Sequence, residues 1–301
     1  MTGRHGGFAL ILVIWAIVLL ASLAAGFAFA VRHEIRVAGD MASVARAEAA
    51  ASAALHTAAL LLGRADPEER WQADTRLRSM PWPDAVIGVR VQSESGRIDI
   101  NRAPRALLLG LFAQFFPPGR ADALVDALID WRDDDDEPEP AGAEREAYEQ
   151  AGYAYGPANA PFNSVNELSR VLGFDGQIKD TLRPYLTVHS RRPRINVLGA
   201  DLIVLLSVPG VDRDIAATLV AQRDRILTEG GRMDFTALRS GRQYLESRPN
   251  DRLLSIDIDV RLDSGFRRRE HAVIQLNRTS GYTLLARETL PTRLTPGDTA
   301  P

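Results

Sequence analysis

The longest apolar stretch of the chain lies close to its start. Residues 8–31 carry no charged side chain, and Ser22 is the only hydroxyl residue among them. A helix of about 24 residues measures about 36 Å, which is enough to cross a hydrocarbon core of about 30 Å. A buried helix of a soluble protein would show a polar face, and a cleaved signal peptide has a shorter apolar stretch. We therefore predict a membrane-spanning helix that the mature protein retains.

The helical pattern continues past this stretch. Segment 32–36 is rich in charge and marks the exit from the bilayer, and residues 37–62 are rich in alanine, the strongest helix former. The sequence therefore predicts one long helix, half in lipid and half in water. Charges at both membrane edges are mostly basic, so the distribution of basic residues does not determine its orientation.

Strands are predicted on both sides of a long helical region. Val86 to Gln92 and Arg97 to Asn101 precede it, and Leu254 to Leu262, Arg267 to Arg278 and Tyr282 to Leu290 follow it. The first strand of the last group alternates apolar and polar side chains, which is typical of a half-buried strand. Between the two groups, helical patterning dominates.

These elements predict an α+β fold. Strands before and after a helical block indicate that one antiparallel sheet receives the block as an insertion. We expect an α+β domain built from residues 64–101 and 246–290, a first helical insert at 102–191 and a second at 192–245. The tail at 291–301 is expected to be disordered.

Composition narrows the range of functions. The formal net charge of −3 creates no overall field that would hold nucleic acid. Cysteine is absent, which excludes disulfides, thiolate metal sites and a cysteine nucleophile. We find no phosphate-binding loop, hydrolase nucleophile elbow, zinc-protease helix or dinucleotide fingerprint, and the five histidines are isolated from one another in sequence. We therefore predict a protein without enzymatic activity.

An acidic segment is the clearest candidate for chemistry. Residues 130–149 hold ten carboxylates and only two arginines. A solvated acidic loop is one interpretation, and a calcium site is the other, because hard cations need several oxygen ligands. Positions 1, 3, 5 and 12 of the window 133–144 are acidic, as in an EF-hand, but position 6 is Pro138 where an EF-hand requires glycine. Any calcium site must therefore be an irregular loop.

A second motif raises a rival function. Leu205 to Asp212 and Ala216 to Arg223 resemble a helix-hairpin-helix unit. Such hairpins bind DNA when a second glycine lets successive N–H groups approach a phosphate. Here Asp212 replaces that glycine and Asp214 lies close by, and their charges repel phosphate. We favour a packing role over nucleic-acid binding, and retention on duplex DNA at physiological salt would reverse that preference.

The first residues resemble a type IV prepilin leader. Met1 to Gly7 precede Phe8, which opens the apolar run. The resemblance implies a leader at 1–7, an assembly helix at 8–63, and a prepilin peptidase that cuts between Gly7 and Phe8 and methylates the new N-terminus. Most pilins have glutamate at the fifth mature position, whereas this chain has Leu12. A subunit without that carboxylate cannot neutralise a neighbour's terminal amine, a defect that is tolerable at the end of a filament.

Ordered motifs in the middle of the chain support a narrower resemblance. Together with the leader and Leu12, they are similar to the K-type minor pseudopilins of the type II secretion pathway, from Gly6 to about Leu290. The motifs are A-L-I-D-W-R-D-D-D at 127–135, G-A-E at 142–144, A-N-A-P-F at 158–162 and S-V-N-E-L at 164–168.

This resemblance implies a location and partners. We expect a single-pass protein of the inner membrane with its bulk in the periplasm, where a pilin-like sheet carries an inserted SAM-like helical domain. The expected position is the tip of the pseudopilus, because an insertion of this size would clash with a subunit stacked above it. Expected partners are the I- and J-type minor pseudopilins, with secreted substrates as possible contacts.

The resemblance also favours calcium over a solvated loop. K-type pseudopilins bind calcium near this pattern of acidic residues. Carried over to this sequence, the expected ligands are Asp133, Asp135 and Glu144, with Asp130 and Asp136 as weaker candidates.

Overall fold

The computed structural model describes residues 6–66, 68–236, 238–248, 251–277 and 281–291, with side chains from Leu12 onward. The first five residues of the predicted leader and the predicted tail from residue 292 lie outside the described residues. The described helices are α1 (Gly6–Leu62), α2 (Arg105–Phe112), α3 (Pro118–Arg132), α4 (Arg145–Gln150), α5 (Gly176–Leu182), α6 (Leu202–Leu206) and α7 (Arg213–Glu229). The described strands are β1 (Arg78–Trp82), β2 (Ala85–Ser93), β3 (Ile98–Asp99), β4 (Leu186–Thr187), β5 (Ile195–Asn196), β6 (Leu245–Glu246), β7 (Leu253–Leu262), β8 (Arg267–Leu276) and β9 (Tyr282–Leu290).

Helix α1 passes through two different environments. Its first half exposes large apolar side chains such as Trp15, Phe27 and Phe29, and it is long and apolar enough to cross a membrane. In its second half, apolar residues recur every three or four positions and are buried against the sheet. Many of them are alanines, whose small side chains let the helix lie close to the strands. The buried residues are Ala47, Ala50, Ala51, Ala54, Leu55, Ala58, Ala59 and Leu62.

The sheet has five antiparallel strands in the order β1-β2-β7-β8-β9. Alternate residues of β2 and β7, among them Val89 and Ile258, face α1 and form a core with it. The predictions of four strands are confirmed to within about two residues at each end. Strand β1 was not predicted.

The predicted strand at Arg97 to Asn101 is wrong as a member of this sheet. Within this segment only Ile98–Asp99 forms a strand, and it pairs in parallel with β4 instead. The sheet therefore ends at Ser93 on the side of β2, and residues 94–252 form the insertion before β7 begins.

The insertion leaves the sheet at the end far from the apolar half of α1. Arg46 binds Asp84 at 3.2 Å in the turn between β1 and β2, whereas His56, further along α1, lies 2.9 Å from the Tyr282 hydroxyl at the opposite end of the strands. Ser93 pairs with Leu254 at that opposite end. We call it the distal end of the sheet.

The insertion consists of two helical units. Unit one spans 98–187 and closes by pairing β3 with β4, and unit two spans 195–246 and closes by pairing β5 with β6. One continuous apolar core runs through both units. Gly110 shows how tightly they pack, since a Cβ there would lie 1.9 Å from the carbonyl oxygen of Ser207.

Candidate functional site

Helix α3 supplies the buried carboxylates that organise the acidic loop. Asp126 and Asp130 are 1% and 0% exposed, although both are charged residues. Asp130 accepts hydrogen bonds from the backbone N–H groups of Glu139 at 3.0 Å and Ala143 at 2.5 Å. Asp126 accepts from the N–H of Ala141 at 3.2 Å. The two side chains therefore hold the returning arm of the loop against the helix.

Gly142 is required by this arrangement. A Cβ at that position would lie 1.9 Å from Asp130 Oδ2. Only glycine lets the loop backbone approach the carboxylate closely enough for the Ala143 N–H to bond to it. The glycine of the motif at 142–144 is therefore explained by the packing of the loop against Asp130.

Several oxygens beside this loop are buried without a hydrogen-bond partner among the described residues. They are Asp133 Oδ1, both carboxylate oxygens of Glu144, and Asn159 Oδ1. Buried polar atoms are almost always paired, because an unpaired one loses its bonds to water without replacement. A set of such oxygens, two of them on one carboxylate, is what a bound cation would satisfy.

Asn159 is a member of this set that sequence reasoning missed. Its Nδ2 donates to the carbonyl of Asp135 at 3.1 Å and to Asp136 Oδ1 at 2.9 Å, which fixes its amide plane. Its backbone is left-handed, with φ of 46°, a conformation that asparagine adopts more readily than most residues. The asparagine within the motif at 158–162 was the available signal.

The electrostatics of the loop confirm that its negative charges are poorly compensated by the protein itself. Burial, followed by repulsion from Asp130, Asp133, Asp136 and Asp135, raises the pKa of Glu144 to about 7. Burial, followed by repulsion from Asp135 and Asp130, raises the pKa of Asp133 to about 6. Both carboxylates would release this repulsion by binding a cation.

The predicted ligands therefore fall into different environments. Asp133 and Glu144 have unpaired buried oxygens, whereas both oxygens of Asp130 are occupied by backbone N–H groups. Asp135 and Asp136 are exposed at the rim, where Asp135 Oδ1 accepts from the N–H of Glu137 at 3.0 Å. In the described part of the chain, no group of three or more acidic or histidine side chains is already set around one point. The calcium ligand set stays a prediction.

The helix-hairpin-helix motif is formed by α6 and α7. Gly210 has φ of 83° in the turn, and Asp212 caps α7 by accepting the Ile215 N–H at 2.8 Å. That N–H is one of the groups that a phosphate would need, so the cap adds to the charge repulsion against nucleic acid.

The predicted processing site lies within the first turns of α1. The backbone of Gly7 and Phe8 is helical, and the side chain of Leu12 is 58% exposed. These observations leave cleavage and methylation as predictions.

The region that contains the acidic loop is similar in sequence to known proteins. Residues 93–191 match the family model of the type II secretion system protein K. Type II secretion system protein K of Dickeya chrysanthemi is 33% identical over 112 residues, and that of Klebsiella pneumoniae is 37% identical over 93 residues. Residues 93–191 thus resemble the protein K family over about a third of the chain. The resemblance to K-type minor pseudopilins is thereby confirmed.

The sequence similarity to protein K is confined to one region of the chain, whereas the structural similarity extends over most of it. The alignments cover 35% and 30% of this chain, and 30% and 28% of the two relatives. A chain in the crystal structure of the GspK-GspI-GspJ complex from enterotoxigenic Escherichia coli matches with a TM-score of 0.60 at 17% identity, covering 87% of this chain and 99% of that one. The predicted α+β fold is confirmed.

Proposed function

We propose that this chain is a minor pseudopilin at the tip of the type II secretion pseudopilus. There it nucleates assembly with I- and J-type minor pseudopilins and supports the export of folded proteins across the outer membrane. The solved relative in a complex with two such proteins supports these partners. In this proposal the chain acts by assembly and has no catalytic role.

The position of the insertion is the observation that carries this proposal. Residues 94–252 leave the sheet and return to it at its distal end, far from the apolar half of α1. Part of unit one also lies over the sheet, where Ser164, Asn166 and Arg183 bond to Glu288 of β9. In a filament whose helices run along its axis, the next subunit would stack above that end. The insertion occupies the space that this subunit would need, so growth above it is blocked and the subunit caps the filament.

The apolar start of α1 supports the same position. After cleavage between Gly7 and Phe8, Leu12 would be the fifth residue. It offers no carboxylate to the amine of a subunit above, which is a cost only where such a subunit exists. The uncharged segment 8–31 would span the inner membrane, with the sheet and the insertion in the periplasm.

We also propose a structural calcium ion in the acidic loop. Asp133, Glu144 and Asn159 would contribute their unpaired oxygens, with Asp135 and Asp136 at the rim. Calcium accepts carboxylate and amide oxygens in irregular geometries and would neutralise the repulsion at the loop. Its role would be to order the loop. The side chain of Asp130 would instead keep its backbone hydrogen bonds.

Labelling of isolated pseudopili tests the proposed position. Gold-labelled antibody against the insertion should mark one end of each filament, and N-terminal sequencing of the purified chain should start at Phe8. Label spread along the shaft would contradict the capping role.

A substitution separates the two arguments for the tip. Leu12→Glu should leave thermal unfolding unchanged, because Leu12 lies in the exposed half of α1, and should change pseudopilus length or secretion. Leu19→Glu, also exposed in this half, is the control for adding a charge to the membrane segment. Unchanged assembly in Leu12→Glu would remove the charge argument and leave the steric one.

A further inference from the structure

A wide cleft opens at the distal end of the sheet, away from the acidic loop. It has a volume of about 910 Å³ and lies between the linker that joins the two helical units and the linker that returns to β7. Residues 188–192 form one wall, and residues 247–248 and 251–253 form the other. Ser95, Gln275 and Leu285 complete the lining.

The cleft is strongly basic in an acidic protein. Four arginines and His189 line it against a single carboxylate, Asp251, which already accepts hydrogen bonds from Ser93 and Ser95. Arg192 lies 3.5 Å from Glu246. Within the described residues, however, the guanidinium groups of Arg191 and Arg248 contact no carboxylate, and both residues are exposed.

The backbone beneath each of these two arginines is held by a buried side chain. Arg191 has φ of 54°, and its N–H donates to Asp99 Oδ2 at 2.6 Å. The peptide of Arg248 donates its N–H to Asn196 Oδ1 at 3.0 Å and accepts from Asn196 Nδ2 at 3.1 Å. Asp99 and Asn196 are each 1% exposed. Two exposed, unpaired cations are thus carried on a fixed backbone, and a strained backbone conformation is often kept for a binding role.

The geometry argues against two simpler ligands, a lipid phosphate and a single inorganic anion. From Val31 to Ser52, α1 rises about 31 Å. Leu285 of the cleft lies on β9 between Tyr282, which contacts His56, and Arg287, which contacts Ser52, so phosphates of the anchoring membrane are out of reach. The volume is far larger than one inorganic anion needs. The lining instead suits a chain with several spaced carboxylates.

One more feature favours an extended polypeptide. Strand β9 is the last in the sheet order, and its Leu285 is 47% exposed and lines the cleft. An unpaired strand edge accepts an added strand through main-chain hydrogen bonds. We propose that this cleft binds an acidic, extended segment of a partner protein, with carboxylates on Arg191 and Arg248 and a side chain against Leu285.

The test uses the full chain in detergent and a fluorescein-labelled octapeptide of alternating glutamate and threonine. Fluorescence anisotropy at low salt should show binding, and the peptide with glutamine in place of glutamate should not bind. The double variant Arg191→Gln, Arg248→Gln should weaken binding about tenfold, as expected for loss of two exposed charge pairs. Arg225→Gln, which removes an exposed arginine from α7, is the matched control.

The control outcomes separate a built site from general attraction. Retained binding by Arg191→Lys, Arg248→Lys, together with an unchanged melting temperature in all variants, supports the site. Equal weakening by Arg225→Gln, or equal binding of the glutamine peptide, would overturn it. Complete displacement by millimolar inorganic phosphate would also overturn it, because the site would then recognise a small anion.

Discussion

The two helical units of the insertion are closed by the same device and differ in their loops. Each unit begins with a short strand that pairs in parallel with a strand at the end of the unit. In each, an asparagine bonds to a distant peptide with both amide atoms; it lies within β5 in unit two and two residues after β3 in unit one. Asn101 bonds to Phe162 at 2.8 and 2.9 Å, and Asn196 bonds to Arg248 at 3.0 and 3.1 Å.

The loops between the helices distinguish the units. In unit two, the hairpin at 207–212 is short, and Asp212 satisfies the start of α7. In unit one, residues 133–144 concentrate negative charge and leave oxygens of Asp133 and Glu144 unpaired. The hairpin of unit two thus satisfies its own helix start, whereas the loop of unit one has the unpaired oxygens that the proposed calcium ion would bind. The following predictions test this difference.

The largest effect should come from the hydrogen bonds of these asparagines. Asn196→Ala removes three hydrogen bonds of a buried side chain, two to the peptide of Arg248 and one from the Leu198 N–H. This should cost about 3 kcal/mol and lower the Tm by about 6–12 °C. Asn101→Ala should cost less, because Asn101 is only half-buried. Thermal unfolding by circular dichroism measures both. Asn163→Ala, at an exposed asparagine, is the control. A similar loss of stability in that variant would show that the hydrogen bonds of Asn196 and Asn101 are not the cause.

The next effect belongs to unit one alone. Calcium at about 100 times its dissociation constant should stabilise the chain by about 2.7 kcal/mol and raise the Tm by about 5 °C or more. Glu144→Gln and Asp133→Asn should lose this response, and Glu149→Gln, an exposed neighbour, should keep it. Isothermal titration measures binding directly. An equal calcium response in Glu144→Gln would exclude Glu144 as a ligand.

The pH dependence of stability should also arise in unit one. The pKa values of Asp133 and Glu144 are raised to about 6 and about 7, so without calcium the folded state binds more protons than the unfolded chain. The contribution of these two groups to the free energy of unfolding should therefore be highest below about pH 4 and fall as the pH rises through 6 to 7. The carboxylates of Asp130, Asp135 and Asp136 contribute repulsion.

Thermal melts between pH 4.5 and 8, with and without calcium, check this slope. Calcium should flatten it, and the double variant Asp133→Asn, Glu144→Gln should show little of it in either condition. A slope of the same size in the double variant would assign the effect to other groups.

The comparison also shows which parts of the molecule could be predicted from sequence. Helix α1 and strand β7 were found because their apolar periods are local properties of the chain. The pairing of β3 with β4 was not, because its partners are nearly ninety residues apart and each strand has two residues. Strand β1 was missed because its burial is only partial and it contains Pro81.

The candidate cation site divides in the same way. Clustering of acidic residues indicated Asp133 and Glu144, since the window that contains them is short. The family resemblance ranked Asp130 below them, but only the folded loop shows a reason, because the carboxylate of Asp130 is occupied by the N–H groups of Glu139 and Ala143. Asn159 comes from a separate segment of the chain. It is held at the site by its hydrogen bonds to the backbone carbonyl of Asp135 and the carboxylate of Asp136.

The smallest predicted effect concerns the self-sufficient hairpin of unit two. Asp212→Ala should cost about 1 kcal/mol, because the Ile215 N–H loses its cap, whereas Asp212→Asn keeps an accepting oxygen and should change stability little. Neither variant should be retained on duplex DNA at physiological salt if the hairpin serves packing. Retention of Asp212→Asn but not of the parent chain would mean that one charge alone separates this hairpin from a nucleic-acid-binding one. Equal loss of stability in both variants would instead show that the negative charge of Asp212 at the start of α7 matters more than its hydrogen bond.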